Sequence, residues 1–294
     1  MEKNKLSTRD QLKAYFQTGK YPTQSQFSDL IDSLQLKGEV MTNKETAILA
    51  NILASIDNGY VAYGSSRIGS LKFPIVISSA DEEDQVITIS DTSNGVEKRF
   101  FLGSEPYTIK AAKISDEELG ETEYYSLIYQ INQNFGINKY FGNNLHTIPE
   151  GFEFGTLEGK RLSIQIIKQN LGRKIHVLNT NIKFINNTEA LIQYRTEGSG
   201  WGDRYRNEDT VTDHYDLDDY LYLYYKADLQ KIDKSIVCRV YDADTNSLIM
   251  TGALNAGQNN QDSWGGGIIR EIRNVRIECD YGNIEPQDPG NNWT

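Results

Sequence analysis

The sequence predicts a mainly β protein in which short N-terminal helices precede a small β region and a C-terminal β-sandwich. Apolar residues recur at helical spacing near the N-terminus and later alternate with polar residues, which is the period of a half-buried strand. Runs rich in β-branched and aromatic residues then follow at regular intervals, separated by Gly, Asn, Asp and Ser. We therefore predict a helical attachment and oligomerisation module at 1–58, a small β domain or shaft at 59–144, a β-sandwich at 145–281 and a flexible tail at 282–294.

The first region contains three helix start signals of the capping-box type. In this motif a Thr hydroxyl and a Glu or Gln side chain three residues later each bond the other residue's free backbone amide. The three boxes are Thr8 with Gln11, Thr23 with Gln26, and Thr42 with Glu45.

The first two predicted helices are too poor in apolar residues to form a core of their own. Short helices gain most of their stability by packing an amphipathic face, so their apolar stripe needs a partner. That partner is either the following β region of the same chain or another protein, and we predict a docking surface for another protein. The predicted docking residues are Leu12, Phe16, Phe27, Leu30, Ile31 and Leu34.

The third helix carries a second apolar face that suits self-association. Its residues fall on one side of a helix and form a seam barely two heptads long. We expect a homo-oligomer, with a trimer favoured. The seam consists of Ile48, Leu49, Ile52, Leu53 and Ile56.

The stretch LSTRDQLKAYFQTGKYPTQSQFSDLIDSL, residues 6–34, resembles a short module found at the start of virion proteins in tailed phages of the Bacteroidota, including crAss-like phages. In those proteins the module precedes otherwise unrelated fibre, tail and appendage domains, so the resemblance implies an attachment or assembly role. It covers only this part of the chain. The matching positions are Leu12, Phe16, Gly19, Pro22, Thr23, Gln26, Phe27, Leu30, Ile31 and Asp32.

The C-terminal strands have a weaker resemblance. The succession YLYLYYKAD, SIVCRVYDADTNSLIMTG and IREIRNVRIECD is similar to the later strands of jelly-roll carbohydrate-binding and adhesion domains. In YLYLYY, alternation places Tyr220, Tyr222 and Tyr224 on one face of a strand and the residues between them on the other. Such a tyrosine row can pack in a sandwich, contact a subunit or stack on sugar rings.

The loop TEGSGWGDRYRNEDTVTDHYDLDD is the predicted ligand- or receptor-binding site. Aromatic side chains beside directional polar groups give a surface both contact area and orientation, and long loops at the end of a sandwich often carry recognition. An acidic connection without a binding role is the alternative. The predicted binding residues are Trp201, Arg204, Tyr205, Arg206 and Tyr215.

Charge and motifs argue against several other classes of function. The net charge of −11 disfavours sequence-independent nucleic-acid binding, which needs a basic surface. The sequence contains no catalytic or phosphate-binding motif, so we expect no enzyme activity and no cofactor. The acidic run around Asp213 to Asp219 is expected to be a solvated edge rather than a metal site. Cys238 and Cys279 are expected to be buried reduced thiols, with a disulfide possible only if their strands prove adjacent.

These observations together predict a phage virion structural protein. The N-terminal helices would anchor a fibre or appendage, and the sandwich would meet a host glycan, a host protein or another virion protein. A purely architectural head-fibre, collar or baseplate component is the first alternative, and a polysaccharide depolymerase is the second. Without a recognisable signal peptide or membrane-spanning segment, we expect synthesis in the host cytoplasm, no insertion into membranes and a final location in the virion.

Overall fold

The structure is a computed structural model, and it is mainly β with few helices, as the sequence predicts. The chain divides into two compact units, Met1–Ile56 and Asp57–Thr294. The described residues are 9–32, 41–55, 59–80, 83–91, 96–103, 106–115, 119–132, 135–158, 161–259 and 262–282.

The described part of the first unit contains three helices: α1 (Arg9–Tyr15), α2 (Gln24–Asp32) and α3 (Asn43–Ser55). Two predicted capping boxes are confirmed. At the start of α2, the Thr23 amide donates to Gln26 Oε1 at 2.8 Å, and the Gln26 amide donates back to Thr23 Oγ1 at 3.4 Å. Thr42 and Glu45 repeat the exchange before α3, and these hydrogen bonds hold the pKa of Glu45 below its usual value. Thr8, in the third predicted box, lies outside the described residues.

Helices α1 and α2 contact each other through one aromatic pair. The rings of Phe16 and Phe27 meet edge to face with centroids 5.4 Å apart, and the Tyr15 hydroxyl donates to Asp29. This pair fixes the turn between the helices, but no residue of α2 is fully buried. Among the described helices, none combines the length and apolar character needed to cross a membrane.

The first half of the second unit is a β-sandwich. Its sheets have the strand orders β4-β1-β9-β6-β7 and β3-β2-β5-β8, and a single apolar core lies between them. The strands are β1 (Tyr60–Ser66), β2 (Phe73–Ser78), β3 (Gln85–Ile89), β4 (Lys98–Phe101), β5 (Pro106–Ala111), β6 (Glu123–Ile131), β7 (Ile137–Phe141), β8 (Glu153–Glu158) and β9 (Arg161–Asn170).

The second half is another β-sandwich with its own core. Its sheets have the orders β13-β10-β18-β15-β16 and β12-β11-β14-β17. The strands are β10 (Val177–Asn186), β11 (Gln193–Gly198), β12 (Trp201–Gly202), β13 (Thr210–Tyr215), β14 (Tyr220–Lys226), β15 (Ile236–Asp242), β16 (Leu248–Leu254), β17 (Ser263–Arg270) and β18 (Asn274–Tyr281).

The two sandwiches have the same topology. Adding nine to every strand number of the first sandwich gives both sheet orders of the second. In each sandwich the first and last strands pair in parallel, as β1 with β9 and β10 with β18. Corresponding strands are both bulged at the same place, by one extra residue in β8 and two in β17, and each irregularity includes a positive-φ glycine, Gly155 or Gly266. The body is therefore a tandem repeat of one nine-stranded fold.

The strand pairing moves the boundary between the two β regions that the sequence analysis placed near residue 145. Strand β8 pairs with β5, and β9 lies between β1 and β6, so both complete the first sandwich. The region that was predicted as a small domain or shaft is most of a full sandwich, and the second sandwich begins after Asn170. Alternation identifies a strand and its buried face, but it does not specify the strand's hydrogen-bonding partners.

Candidate functional site

Strand β14 presents a row of tyrosines on the outside of the second sandwich. Side chains alternate along the strand as the sequence predicts, and the inward ones, Leu221, Leu223 and Tyr225, are buried in the core. The outward rings remain half-buried. On the neighbouring strand Trp264 stands directly opposite Tyr224 and is 55% exposed. We call Tyr220, Tyr222, Tyr224 and Trp264 the tyrosine face.

The rings of the tyrosine face lie side by side on two paired strands, and two of them are in contact. Tyr220 and Tyr222 meet at 5.3 Å with their planes 72° apart, and the Arg270 guanidinium lies 5.7 Å from the Tyr220 ring. None of the three tyrosine hydroxyls has a hydrogen-bond partner among the described residues, so each can bond solvent or a ligand. Large rings with a polar tip are well suited to recognition, because they combine apolar area with directional bonding.

A buried arginine borders this face. The Arg195 guanidinium carbon lies 4.0 Å from the Phe135 ring centroid and 3.9 Å from that of Tyr224. Its side chain is only 3% exposed and pairs at 2.7 Å with both Glu197 and Asp262. Burial by itself lowers the pKa of Arg195, but the hydrogen bonds to both carboxylates raise it overall. Arg195 is therefore a neutralised cation that holds the edge of the tyrosine face in place.

The same surface of the first sandwich provides an internal comparison. The bulge shared by the two sheets aligns Thr108 with Tyr222, Lys110 with Tyr224 and Glu153 with Trp264. Val76 occupies the position of Arg195. In place of aromatic rings this surface carries a threonine and a Lys110–Glu153 ion pair at 4.0 Å. Because the first sandwich folds without these rings, the aromatic residues of the tyrosine face are not a requirement of the architecture.

The predicted binding loop is largely a junction between the two sandwiches, which corrects the prediction for its aromatic residues. Trp201 is 3% exposed and lies in the core of the second sandwich with Tyr215. Strand β12 packs beside β7 of the first sandwich. The Tyr215 hydroxyl accepts from the Tyr140 amide at 2.6 Å and donates to the Tyr140 carbonyl at 3.0 Å. Neither aromatic ring offers the flat exposed face that the sequence suggested.

The other predicted loop residues do not form one surface. Tyr205 is half-buried, meets the Phe135 ring edge to face at 5.4 Å and donates a hydrogen bond to Asp262. The Arg206 guanidinium forms an ion pair with Asp203 and donates a hydrogen bond to the Thr210 hydroxyl. Of the five predicted residues only Arg204 is exposed. A sequence cannot distinguish a loop that a neighbouring domain covers from a loop that is open to solvent.

The structure also shows which site residues the sequence analysis missed. Trp264 lies directly before three glycines at the start of β17, and Arg195 lies within a strand between buried neighbours. The signal that singles out both positions is structural, because the strand register of the first sandwich places Glu153 and Val76 there.

The helices carry the second candidate surface. Phe16, Phe27 and Ile31 are exposed, and Ile31 is 60% exposed. Leu12 and Leu30 are half-buried, and Leu34 lies outside the described residues. We call Leu12, Phe16, Phe27, Leu30 and Ile31 the helical stripe. Exposed apolar residues that recur on one side of a short helix mark a protein–protein contact more often than scattered ones do.

The acidic run after the loop is organised by ion pairs. Buried His214 contacts Asp219 through Nε2 at 3.0 Å, and Arg273 binds both oxygens of Asp219. The hydrogen bonds from Arg273, followed by those from His214, hold the pKa of Asp219 below its usual value. Nearby, His176 Nδ1 lies 3.1 Å from Asp216. Within the described ranges, no three His, Cys, Asp or Glu side chains are grouped to hold a metal ion.

Neither the scan against protein-family models nor the search of curated proteins gives a match to this chain.

Proposed function

We propose that this chain is a phage virion structural protein, a fibre or appendage component that attaches through its N-terminal helices. The observation that carries the proposal is the exposed helical stripe, which lies in the helical unit and coincides with the stretch that resembles a virion attachment module. The occupant of the stripe is another virion protein. The second sandwich presents the tyrosine face to a receptor or to a neighbouring virion protein.

The energetics of the stripe favour attachment by several copies. Burial of one large apolar side chain is worth roughly 1.5–3 kcal/mol. Association costs about 4–15 kcal/mol in lost translational and rotational freedom, so the exposed residues of a single protomer give a weak contact. A homotrimer presents three stripes at once and gains avidity. On α3, Ile48, Leu49 and Ile52 are exposed and supply an apolar seam for such a trimer, whereas Ile56 lies outside the described residues.

The charges beside the tyrosine face favour a neutral ligand. Arg195 is already paired with two carboxylates, and Arg270 lies over the Tyr220 ring. Of these two cations only Arg270 has no carboxylate partner among the described residues, so aromatic rings and tyrosine hydroxyls make up most of the surface, which suits a neutral glycan or an apolar protein surface.

The attachment proposal is tested by adding a charge to the stripe. Ile31→Asp should exclude the protein from assembled particles, because a carboxylate would have to be desolvated at the interface. Ser25→Asp is the matched control, since it adds the same charge at an exposed position on the other side of α2. The measurement is the amount of each variant in purified virions, together with the melting temperature of the free protein. Equal incorporation of both variants would contradict attachment through the stripe.

A second pair of variants separates a receptor protein from a purely architectural one. Trp264→Ala should weaken binding of the purified protein to host cells or to a panel of neutral glycans, while Glu153→Ala, at the same register of the first sandwich, should not. If both variants and the unmodified chain fail to bind while incorporation is normal, the architectural role is the correct one.

A further inference from the structure

The two cysteines of the chain face each other inside the second sandwich. Cys238 on β15 and Cys279 on β18 are directly opposite in the antiparallel register, and their Sγ atoms are 3.1 Å apart. Both are free thiols and both are 0% exposed. The sequence analysis left a disulfide open on the condition that the two strands be adjacent, and the structure meets that condition.

The hydrogen-bond pattern places the cysteines at a position that suits a disulfide. The Gly282 amide donates to the Ser235 carbonyl at 3.1 Å, which marks these opposed residues as a hydrogen-bonded pair. Hydrogen-bonded and non-hydrogen-bonded pairs alternate along an antiparallel ladder. Cys238 and Cys279 lie three positions from the Ser235–Gly282 pair, so they form a non-hydrogen-bonded pair. Opposed Cα atoms at such a pair are about 4.5 Å apart, within the range of about 4.4–6.8 Å that disulfides span. The backbone therefore needs little movement to form the bond.

The same geometry supplies a route by which an oxidant reaches the pair. The last pair of the β15–β18 ladder, Ile236 with Tyr281, is only two positions beyond the cysteines. On the other side of β18, the ladder with β10 ends at the pair that Cys279 forms with Asn186. Local opening at this end, which must also separate Cys238 from Gly252 on β16, would give an oxidant access to both thiols, since strand ends open at lower cost than strand centres. The hydrogen bond with Cys279 and burial raise the pKa of Cys238 well above its usual value, so reaction in the closed state is slow.

We propose that Cys238 and Cys279 are a modification site at which a low-molecular-weight disulfide, such as oxidised glutathione, forms a cross-strand disulfide. One cysteine thiolate attacks a glutathione sulfur, which forms a mixed disulfide and releases one glutathione thiolate. The second cysteine thiolate then attacks the protein sulfur of the mixed disulfide and releases the second glutathione thiolate. The protein loses two electrons and two protons, and oxidised glutathione is reduced to two glutathione molecules.

The bond would connect two interior strands of one sheet. Strand β15 lies between β18 and β16, and β18 lies between β10 and β15. The cysteines are 41 positions apart, so the disulfide closes a long loop in the unfolded chain and restricts its conformational freedom. The inference is independent of the proposed virion role, because it depends only on the geometry of the second sandwich.

The experiment uses the full chain, reduced and unfolded in denaturant, and then refolded with a mixture of oxidised and reduced glutathione. The expected product is a monomeric chain lighter by two hydrogen atoms, with no thiol titratable after denaturation and with peptides around Cys238 and Cys279 linked to each other. Relative to protein refolded with reduced glutathione alone, its melting temperature should rise by about 4–16 °C.

Two control variants keep the result interpretable. Cys238→Ala and Cys279→Ala each keep one thiol, so oxidising refolding should give at most a glutathione adduct and never the monomeric product lighter by two hydrogen atoms. The proposal is overturned if the unmodified chain retains both thiols after refolding under oxidising conditions, or if it ends as a glutathione adduct or an intermolecular dimer. It is also overturned if the linked form melts at or below the temperature of the reduced form.

Discussion

The two tryptophans of the second sandwich should respond in opposite ways to truncation. Trp201 is 3% exposed in the core beside the first sandwich, whereas Trp264 is 55% exposed on the tyrosine face. Trp201→Ala removes a buried ring from a position where the strands on either side cannot collapse freely. Trp264→Ala removes a ring that is already largely in solvent.

The structure sets the expected magnitudes. Replacing a buried Trp or Phe by Ala costs about 3–5 kcal/mol, which combines lost burial with the cavity left behind. For a body of this size, each kcal/mol lowers the melting temperature by about 2–4 °C, so Trp201→Ala should lower it by about 6–20 °C. Surface substitutions usually change stability by no more than about 0.5 kcal/mol, so Trp264→Ala should move the melting temperature by about 2 °C or less.

Differential scanning calorimetry of the full chain measures both variants under one set of conditions, and near-ultraviolet circular dichroism reports whether the junction keeps its packing. A Trp201→Ala protein that melts within about 2 °C of the unmodified chain would refute the assignment of this residue to the core. That result would support the predicted role of the loop as an exposed recognition surface. Equal, large losses for both variants would instead refute the exposure of Trp264.

Three further predictions concern the second sandwich. Gly266→Ala should lower the free energy of unfolding in urea more than Gly172→Ala does. Both glycines have positive φ, but of the two only Gly266 would bring its new Cβ against a backbone oxygen on β16. Equal effects would contradict the bulge geometry. Asp219 has a lowered pKa in the folded state, so its contribution to stability is present above its unfolded pKa near 4 and is lost as pH falls through the folded value. The stability difference between the unmodified chain and Asp219→Asn should therefore shrink as the pH falls below about 4, and a difference that stays constant would contradict the ion pair. Arg195→Lys should lower the free energy of unfolding by about 1–3 kcal/mol although the charge is retained. Lysine cannot bond Asp262 through two nitrogens, and it cannot stack between two rings. An unchanged denaturation midpoint would contradict this role of Arg195.

Local structure was the part of this protein that the sequence could predict. The capping boxes at Thr23 and Thr42 depend only on residues three positions apart, so they formed where the pattern placed them. Alternation likewise predicted which side of β14 is buried, because successive side chains of any strand point to opposite faces.

Relations between distant segments could not be predicted in the same way. The pattern of β9 predicts a strand but not its position between β1 and β6, and it therefore misplaced the boundary between the β regions. Trp201 and Tyr215 looked like exposed anchors because nothing in the local sequence reveals that the first sandwich lies beside them. The tandem repeat also escaped detection, since its two copies share strand order while their outward residues differ, as Thr108 and Tyr222 illustrate.

The proposed virion role requires that the helices anchor the chain to the particle and leave the β sandwiches outside it. Negative-stain electron microscopy of purified virions, labelled with gold-conjugated antibodies against residues 59–282, tests this requirement. If it holds, gold particles label a defined appendage at regular positions on intact virions, and the labelling is lost when the phage carries Ile31→Asp. Intact virions without label, while lysates of infected cells contain the protein, would contradict the proposed role.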